Sequence, residues 1–295
     1  MPAYQRYARY QERKPVTNAK LFRWILYVVA LIIVVVLIQR VFGKGDTNSA
    51  DTAVENSTTQ LAEVTNTNTE TNENADANTN TSVAPAVAED FDVATQCDGV
   101  ISVLGGAKKM TLTFSGRGNG ANVDEILQVL QEANAPASFF FTGTFARNNP
   151  DVVQKISDAG YRIYNQSDTH PDFEDLTEDE ALLELEAADE EISGITNLTT
   201  KPFFRPPFGS VDQTVTDIVM SAGYCPVTWT VDGLDWQAGA TAADIEARVM
   251  SRAANGGIVL LQVGGISTED ALPTIITELR DQGYELVSLA DLVAA

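Results

Sequence analysis

The residues of this chain that could bind a metal or move a proton include its single histidine, His170. Three carboxylates lie near it in the sequence, at Asp168, Asp172 and Asp175, and a histidine with carboxylates can form a site for a divalent cation. Catalytic zinc, however, usually takes three protein ligands of defined geometry. The alternative is an ordinary loop histidine, since His170 directly precedes Pro171. Composition around His170 alone leaves both interpretations open.

Five short segments hold most of the other residues with polar chemistry. They are TFSGR at 113–117, NQSDTH at 165–170, RPPFG at 205–209, DGLDW at 232–236 and LLQ at 260–262. Their series resembles the motifs of the polysaccharide deacetylases, the NodB-homology or carbohydrate esterase 4 family. The family motifs are TFDDG, H-[ST]-x-x-H, R-x-P-[FY]-G, D-x-x-D-W and a late Leu-x-x-His-like strand end. The resemblance runs from about Lys108 to the C-terminus, and RPPFG followed by DxxDW is its most specific part.

The resemblance implies an active site whose chemical groups have been replaced. In the family, the second Asp of TFDDG and two histidines hold a divalent metal such as zinc, and these positions are Gly116, Gln166 and His170 here. The base is the first Asp of TFDDG, now Ser115, and the acid is a late histidine, now Gln262. Metal-assisted amide hydrolysis needs a metal-bound water and both proton-transfer groups. We therefore expect no bound cofactor and no deacetylase activity.

Other family positions retain their residue types. Arg205 would orient the base in the family, and because that base is now a serine, we expect Arg205 to pair with Asp232 or Asp235. Asp235 would contact the late histidine, whose position has also changed. Phe208 and Trp236 would line the sugar groove, where aromatic faces stack on the ring, or would equally well pack the mouth of the fold.

The N-terminal region is predicted to anchor the chain in a membrane. Residues 21–42 are nearly all apolar and just long enough to span the hydrocarbon core, which predicts a transmembrane helix. Six Lys or Arg residues precede Trp24, so residues 1–20 are predicted to be a cytoplasmic basic segment and the C-terminal domain to be extracytoplasmic. A cleaved signal peptide is the alternative, although the residues after the apolar run offer no small-residue cleavage site.

A linker and a strongly acidic domain follow. Residues 43–96 are rich in Thr, Asn and Glu, without an apolar period, and are predicted to be a disordered tether. The whole chain has a net charge of −22, which argues against nucleic acid as a partner because phosphate binding needs cations.

Residues 97–295 are predicted to form one α/β domain. Strands are expected at 110–115, 137–142, 161–165, 202–205, 225–231, 257–262 and 284–287, and helices at 123–133, 150–159, 177–193, 212–222, 242–255 and 268–282. Alternating strands and helices indicate a parallel sheet, either open or closed. The resemblance implies a distorted seven-stranded (β/α) barrel of the NodB-homology type, with all five motifs at the C-terminal strand ends, where barrel sites are built.

The two cysteines, Cys97 and Cys225, leave their pairing open. Outside the membrane they would form a disulfide between the entry segment and the fifth strand, but two buried thiols are equally compatible with the sequence.

The expected function is that of a membrane-anchored family member that binds or acts on a cell-wall N-acetylated glycan, such as peptidoglycan or a chitooligosaccharide-like polymer. A catalytically inactive pseudoenzyme is the preferred interpretation. The alternatives are an active metal-dependent N-deacetylase with an atypical site and a purely structural interaction domain of the envelope, and fold alone does not decide among them.

Overall fold

Strands and helices alternate through the described part of the chain. A computed structural model describes residues 91–102, 106–116 and 118–294. The predicted cytoplasmic segment, transmembrane helix and most of the predicted linker lie outside the described residues. Within the described residues, no helix has the length and apolar character needed to cross a membrane.

The strands are β1 Lys109–Gly116, β2 Ala137–Phe141, β3 Arg162–Asn165, β4 Phe203–Phe204, β5 Cys225–Pro226, β6 Val231–Asp232, β7 Gly257–Val263 and β8 Glu285–Leu286. The helices are α1 Val93–Gln96, α2 Val123–Glu132, α3 Gly143–Asn148, α4 Pro150–Asp158, α5 Glu178–Thr196, α6 Gln213–Ser221, α7 Ala242–Arg252, α8 Thr268–Asp281 and α9 Leu289–Val293.

All of these strands are parallel and belong to one curled sheet. Its order is β5-β4-β3-β2-β1-β7-β6, and β8 pairs with the start of β1. The strand predicted at 225–231 is in fact two strands, which lie at opposite ends of this order. Only residues 227–230 connect them, so a chain of at most roughly 18 Å joins the two sheet edges. The sheet is therefore a curled half-barrel, and the predicted seven-stranded barrel is correct in its parallel, curled character but is not closed by a hydrogen-bonded ladder.

Successive residues of each strand point to opposite faces of the sheet, and this alternation separates two cores. The outer core, between sheet and helices, contains Leu112, Phe114, Phe139 and Phe141 among its buried residues. The inner core is a separate cluster that includes Phe140, Tyr164, Phe203, Val227 and Ile258. The inward positions of β1 are polar, and they lead towards the C-terminal mouth of the half-barrel.

The predicted helices are all present, with ends within three residues of those expected. Thr177 and Glu180 form a capping box at the start of α5, where each side chain satisfies a backbone N–H of the other residue. Helix α3 was not predicted; the hydroxyl of Thr142 caps it by accepting from the backbone N–H of Phe145. Helix α1 falls inside the range predicted to be a linker, and Phe91 just before it packs against Phe203 with ring centroids 4.9 Å apart.

Cys97 and Cys225 form a disulfide, with Cα atoms 5.8 Å apart. This decides between the two alternatives that the sequence left open. The bond ties the segment after α1 to β5, and Ile101 pairs with Val227 just beyond it. The entry segment thus covers the edge of the sheet next to the gap between β5 and β6.

Candidate functional site

The five motifs meet at the C-terminal ends of the strands, as predicted. Ser115 lies near the end of β1, Gln166 follows β3, Arg205 follows β4 and Asp232 ends β6. The register of β1 and β7 places Ser115 directly beside Gln262. The positions corresponding to the family's base and acid are therefore neighbours on the inner face of the sheet.

Arg205 is the central residue of this mouth, and it is completely buried. Its Nη2 donates to the Thr113 hydroxyl at 2.7 Å and its Nη1 to the Ser115 hydroxyl at 3.4 Å. The guanidinium lies over the ring of Phe140, 4.0 Å from its centroid, and 5.8 Å from the ring centroid of Trp229. Cation–π attraction and hydroxyl oxygens thus replace a counter-charge.

The predicted contact of Arg205 with Asp232 or Asp235 is wrong. Among the residues that the structure describes, no carboxylate oxygen lies within 4.0 Å of the guanidinium, and its Nε has no acceptor. Burial lowers the pKa of Arg205 to about 9, against the opposing attraction of Asp232. The sequence correctly implied that Arg205 has lost its family partner. Asp232 is instead held within its own loop, and Asp235 is held by Gln262 of β7 and Thr268 of α8.

Asp232 and Asp235 organise the loop after β6. Asp232 accepts from the backbone N–H of Leu234 at 2.8 Å and from the Trp236 indole at 3.4 Å. Asp235 accepts from the backbone N–H of Gln262 and from the Thr268 hydroxyl, both at 2.7 Å and both through Oδ2. The contact between positions 235 and 262 therefore exists, but the backbone of Gln262 makes it.

Asp235 carries a buried oxygen without a donor. Its side chain has no exposed surface, and its Oδ1 has no hydrogen-bond partner among the described residues. Burial is the largest influence on this carboxyl group and raises its pKa to about 6, although the bonds from Thr268 and Gln262 oppose the shift. The resemblance implies that this oxygen would face an imidazole, and no such group is present at position 262.

His170 lies at the mouth beside Gln166. The Nε2 atoms of the two side chains are 3.4 Å apart, and because the amide nitrogen can only donate, the imidazole nitrogen accepts. Burial lowers the pKa of His170, which favours this neutral form. The ring also meets Phe208 edge-on, at 4.8 Å between centroids. One ring nitrogen is thus engaged by an amide, and the backbone of His170 has a positive φ of 62°.

The carboxylates near His170 face other partners. Asp168 is buried and forms an ion pair of 2.7 Å with Arg147. Asp172 caps the 3₁₀ turn Phe173–Asp175 by accepting from the backbone N–H of Glu174. No cluster of three or more potential metal ligands exists among the described residues. These carboxylates therefore do not rebuild a metal site around His170.

The residues at the three family ligand positions do not fit a divalent metal. Gly116 offers no donor atom, and Gln166 presents an amide nitrogen to His170. A single imidazole remains, whereas catalytic zinc takes about three protein ligands. The proton-transfer positions do not compensate, since the Ser115 hydroxyl accepts from the cationic Arg205 and, among the described residues, has no hydrogen-bond partner that could act as a general base. We derive no metal-dependent step from this set.

Two aromatic side chains at the mouth are exposed. Phe208 is 69% exposed and Trp236 is 38% exposed, and Ile266 in the loop after β7 is 41% exposed. The backbone N–H of Ile266 donates to the carbonyl of Asp235, which places it against the loop that carries Trp236. Phe208 has a positive φ of 61°, which an aromatic residue rarely adopts. The exposed rings offer flat apolar faces of the kind that stack on sugars.

Some residues of the site were not identified from the sequence. Thr113 bonds to Arg205, and the alternation of strand β1 could have found it, because it shares a face with Ser115. Phe140 and Trp229 hold the guanidinium, but no local pattern indicates this. Glu184 was also missed. It is fully buried in α5 and accepts from the backbone N–H groups of Asp168 and Thr169 at 2.8 and 2.7 Å, which fixes the loop before His170.

Comparison with known proteins agrees with this arrangement. A family model described as polysaccharide deacetylase matches residues 104–227. Among relatives from Bacillus subtilis strain 168, the uncharacterized protein YlxY is 33% identical over 171 residues, covering 58% of this chain and 53% of its own length. The peptidoglycan-N-acetylmuramic acid deacetylase PdaA is 32% identical over 194 residues, covering 64% of this chain and 74% of its own length. This chain thus spans about half of YlxY and most of PdaA.

The solved structure of wild-type BA3943, a CE4 family pseudoenzyme from Bacillus anthracis, has a similar fold. It is 30% identical, with a TM-score of 0.63, and the match covers 66% of this chain and 69% of that one. A mutant of BA3943 with restored enzymatic activity has the same TM-score. The motifs, the curled parallel sheet and these matches show that the chain belongs to the polysaccharide deacetylase family of NodB-homology, or CE4, domains.

Proposed function

We propose that this protein is a catalytically inactive polysaccharide deacetylase-family member that binds an N-acetylated cell-wall glycan. It is held at the outer face of the membrane by residues 21–42. The substrate class follows from relatives that are named for acting on peptidoglycan or chitooligosaccharides. Binding without hydrolysis is the function that the geometry of the mouth supports best.

One observation carries the inactivity: the His170 ring nitrogen accepts from the Gln166 amide, at the position where the family motif has its first histidine. Two imidazoles would share a metal, but an amide N–H and an imidazole satisfy each other. His170 therefore faces an amide and not a second imidazole, and a single imidazole is fewer than the three protein ligands that catalytic zinc usually takes. The serine at position 115 then leaves no base for a water molecule, and general bases contribute typically ~10²–10⁴-fold to a rate.

The exposed rings support glycan binding. Burying Phe208 and Trp236 against the mouth would remove apolar surface from water, yet Phe208 remains 69% exposed and Trp236 38% exposed. A sugar ring stacked on either side chain would cover that surface. The carboxylate of Asp232 lies nearby and has acceptor capacity beyond its bonds from Leu234 and Trp236, so it can accept from a glycan hydroxyl group.

A calorimetric titration with a soluble chitooligosaccharide and with a muropeptide tests binding. Trp236→Ala and Phe208→Ala are each expected to weaken binding, by roughly 2–13-fold, because aromatic stacking is worth about 0.5–1.5 kcal/mol. Leu198→Ala is the matched control. Leu198 is 44% exposed but lies between α5 and β4, at the opposite end of the strands. Equal affinity for all three variants, or no binding to either glycan, would contradict the proposal that this mouth binds a glycan.

Acetate release tests the inactivity. Incubation with the same glycans and zinc, cobalt or nickel is expected to release no acetate, while PdaA run in parallel serves as the positive control. Metal-dependent release by the unmodified chain would instead establish an active N-deacetylase with an atypical site. Absence of both binding and release would favour a structural envelope domain.

The membrane anchor is tested by topology. Residues 21–42 are nearly all apolar and six cations precede Trp24, which favours an uncleaved helix with the C-terminal domain outside. Protease added to spheroplasts is expected to digest the C-terminal domain, with an N-terminal fragment left in the membrane. Complete protection of the domain would contradict this orientation, and a mature chain that begins after residue 42 would show a cleaved signal peptide.

A further inference from the structure

Strand β1 continues in regular pairing through the position of the missing metal ligand. The ladder with β7 extends from Met110 to Gly116, which pairs with Val263. Thr113 and Ser115 point to the inner face, where both contact Arg205. The side chain of Phe114 points to the outer core. By the same alternation, any side chain at position 116 would leave the outer face of the sheet, away from His170 and Gln166.

The outer face at this position is already filled. A Cβ atom built on Gly116 would lie 2.7 and 2.8 Å from two ring atoms of Phe145, and 2.9 Å from the ring of Phe141. The rings of Phe141 and Phe145 pack together with centroids 4.5 Å apart, and both belong to the outer core. Neither ring is the flexible end of a long side chain, so an added Cβ would require the packed layer to shift.

We infer that the loss of the metal site extends beyond the missing ligand side chains to the packing around position 116. The continued register of β1 directs position 116 into the layer formed by Phe141 and Phe145. An aspartate restored there destabilises the domain and supplies no ligand to the mouth. The packing around position 116 does not depend on glycan binding, so this inference and the proposed function can each fail without the other.

Zinc binding by the full chain tests the direction of position 116. One variant restores the other positions through Ser115→Asp, Gln166→His and Gln262→His, and a second adds Gly116→Asp. Zinc content after dialysis and a competition titration give the stoichiometry and affinity of each. We expect the added aspartate to leave zinc affinity unchanged within about threefold. Tightening beyond about threefold overturns the inference, because even groups outside the metal's ligand shell are typically worth 10–100-fold.

A double-mutant cycle tests the packing around position 116 directly, because Gly116→Ala adds only a methyl group there. Gly116→Ala is expected to lower the melting temperature by roughly 3–10 °C, as overpacking of a core usually does. In the background of Phe145→Ala, the same change is expected to cost less than half as much, because the opposing ring is gone. Gly194→Ala is the control, since a Cβ there meets nothing within 4 Å.

Two outcomes of the cycle would overturn the inference. The first is an unchanged melting temperature for Gly116→Ala, which would show that the layer has room. The second is an equal loss with and without the Phe145 ring, which would place the cause elsewhere. If the variant with Gly116→Asp does not fold, this cycle still tests the inference, because the methyl group of Gly116→Ala enters the same space between Phe141 and Phe145.

Discussion

Ser115→Asp should stabilise this protein, although it places a carboxyl group in a buried position. Burial lowers the pKa of Arg205 from 12.5 to about 9, which corresponds to a penalty of about 5 kcal/mol on the charged form. The Ser115 hydroxyl lies 3.4 Å from Nη1, and a carboxylate at the same position would reach closer. A hydrogen bond to a charged group contributes about 1.5–3 kcal/mol.

The carboxylate also loses its own hydration, which offsets part of that gain. We therefore expect Ser115→Asp to raise the free energy of unfolding by about 1–2 kcal/mol at pH 7. Ser115→Asn is the neutral control of similar size and should give no gain. Urea denaturation followed by circular dichroism measures both.

The pH dependence identifies the cause of the gain. A carboxyl group paired with a guanidinium has a pKa below its ordinary value, so its stabilisation is present above about pH 4 and is lost as the pH falls through the folded-state pKa. The difference between Ser115→Asp and Ser115→Asn should thus shrink at acid pH. If Ser115→Asp is no more stable than Ser115→Asn at pH 7, Arg205 does not need a counter-charge and the reasoning about its burial is refuted.

Further predictions concern three other buried features. Because burial raises the pKa of Asp235 to about 6, the folded state holds that proton between about pH 4 and 6 while the unfolded state does not. Stability should therefore fall as pH rises through this window, by about 2–3 kcal/mol, and urea titrations of Asp235→Asn should lack this component. Replacing both Cys97 and Cys225 by serine should lower the free energy of unfolding by about 2–4 kcal/mol, since the disulfide closes a loop with a sequence separation of 128; an unchanged urea midpoint would contradict this. Glu184→Ala should cost about 2–4 kcal/mol and speed amide hydrogen exchange at residues 168–169, whereas Glu191→Ala, at a partly exposed ion pair, should cost under ~1 kcal/mol.

The sequence predicted the frame of the site well because the frame depends on local patterns. Apolar runs and helix caps identified the strands and helices, and the motif order placed Ser115, Arg205 and Asp232 at one end of the sheet. Parallel strands bring their C-terminal ends together wherever they fall along the chain. The division of the run at 225–231 into two strands was not predictable, because it depends on which neighbour each half meets. The sequence likewise did not decide whether Cys97 and Cys225 form a disulfide, because the distance between them depends on how the entry segment packs against β5.

The partner of Arg205 was predicted wrongly for a physical reason. A motif gives the residues at a site but not the competition among them for hydrogen bonds. The Asp232 carboxylate accepts from the backbone and the indole of its own loop, and the Asp235 carboxylate accepts from the backbone of β7 and from Thr268, so each already has hydrogen-bond donors. These local bonds require no movement towards Arg205. An arginine stacked on an aromatic ring has a lower cost of desolvation than an isolated cation, which allows it to remain without an ion pair.

The retained motif residues therefore differ in what they say about function. Arg205 is buried against Phe140 and Trp229, so packing alone gives a reason for its presence and it is weak support for any activity. Phe208 is different, because a ring that is 69% exposed at a positive φ contributes little burial to folding and carries backbone strain. Trp236 is also exposed, at 38%, but its backbone is not in the positive-φ region. A residue that costs stability and remains accessible is better explained by a ligand than by the core. The case for a glycan at this mouth accordingly rests on its two exposed aromatic residues, and the case against catalysis rests on Gly116, Gln166 and Ser115.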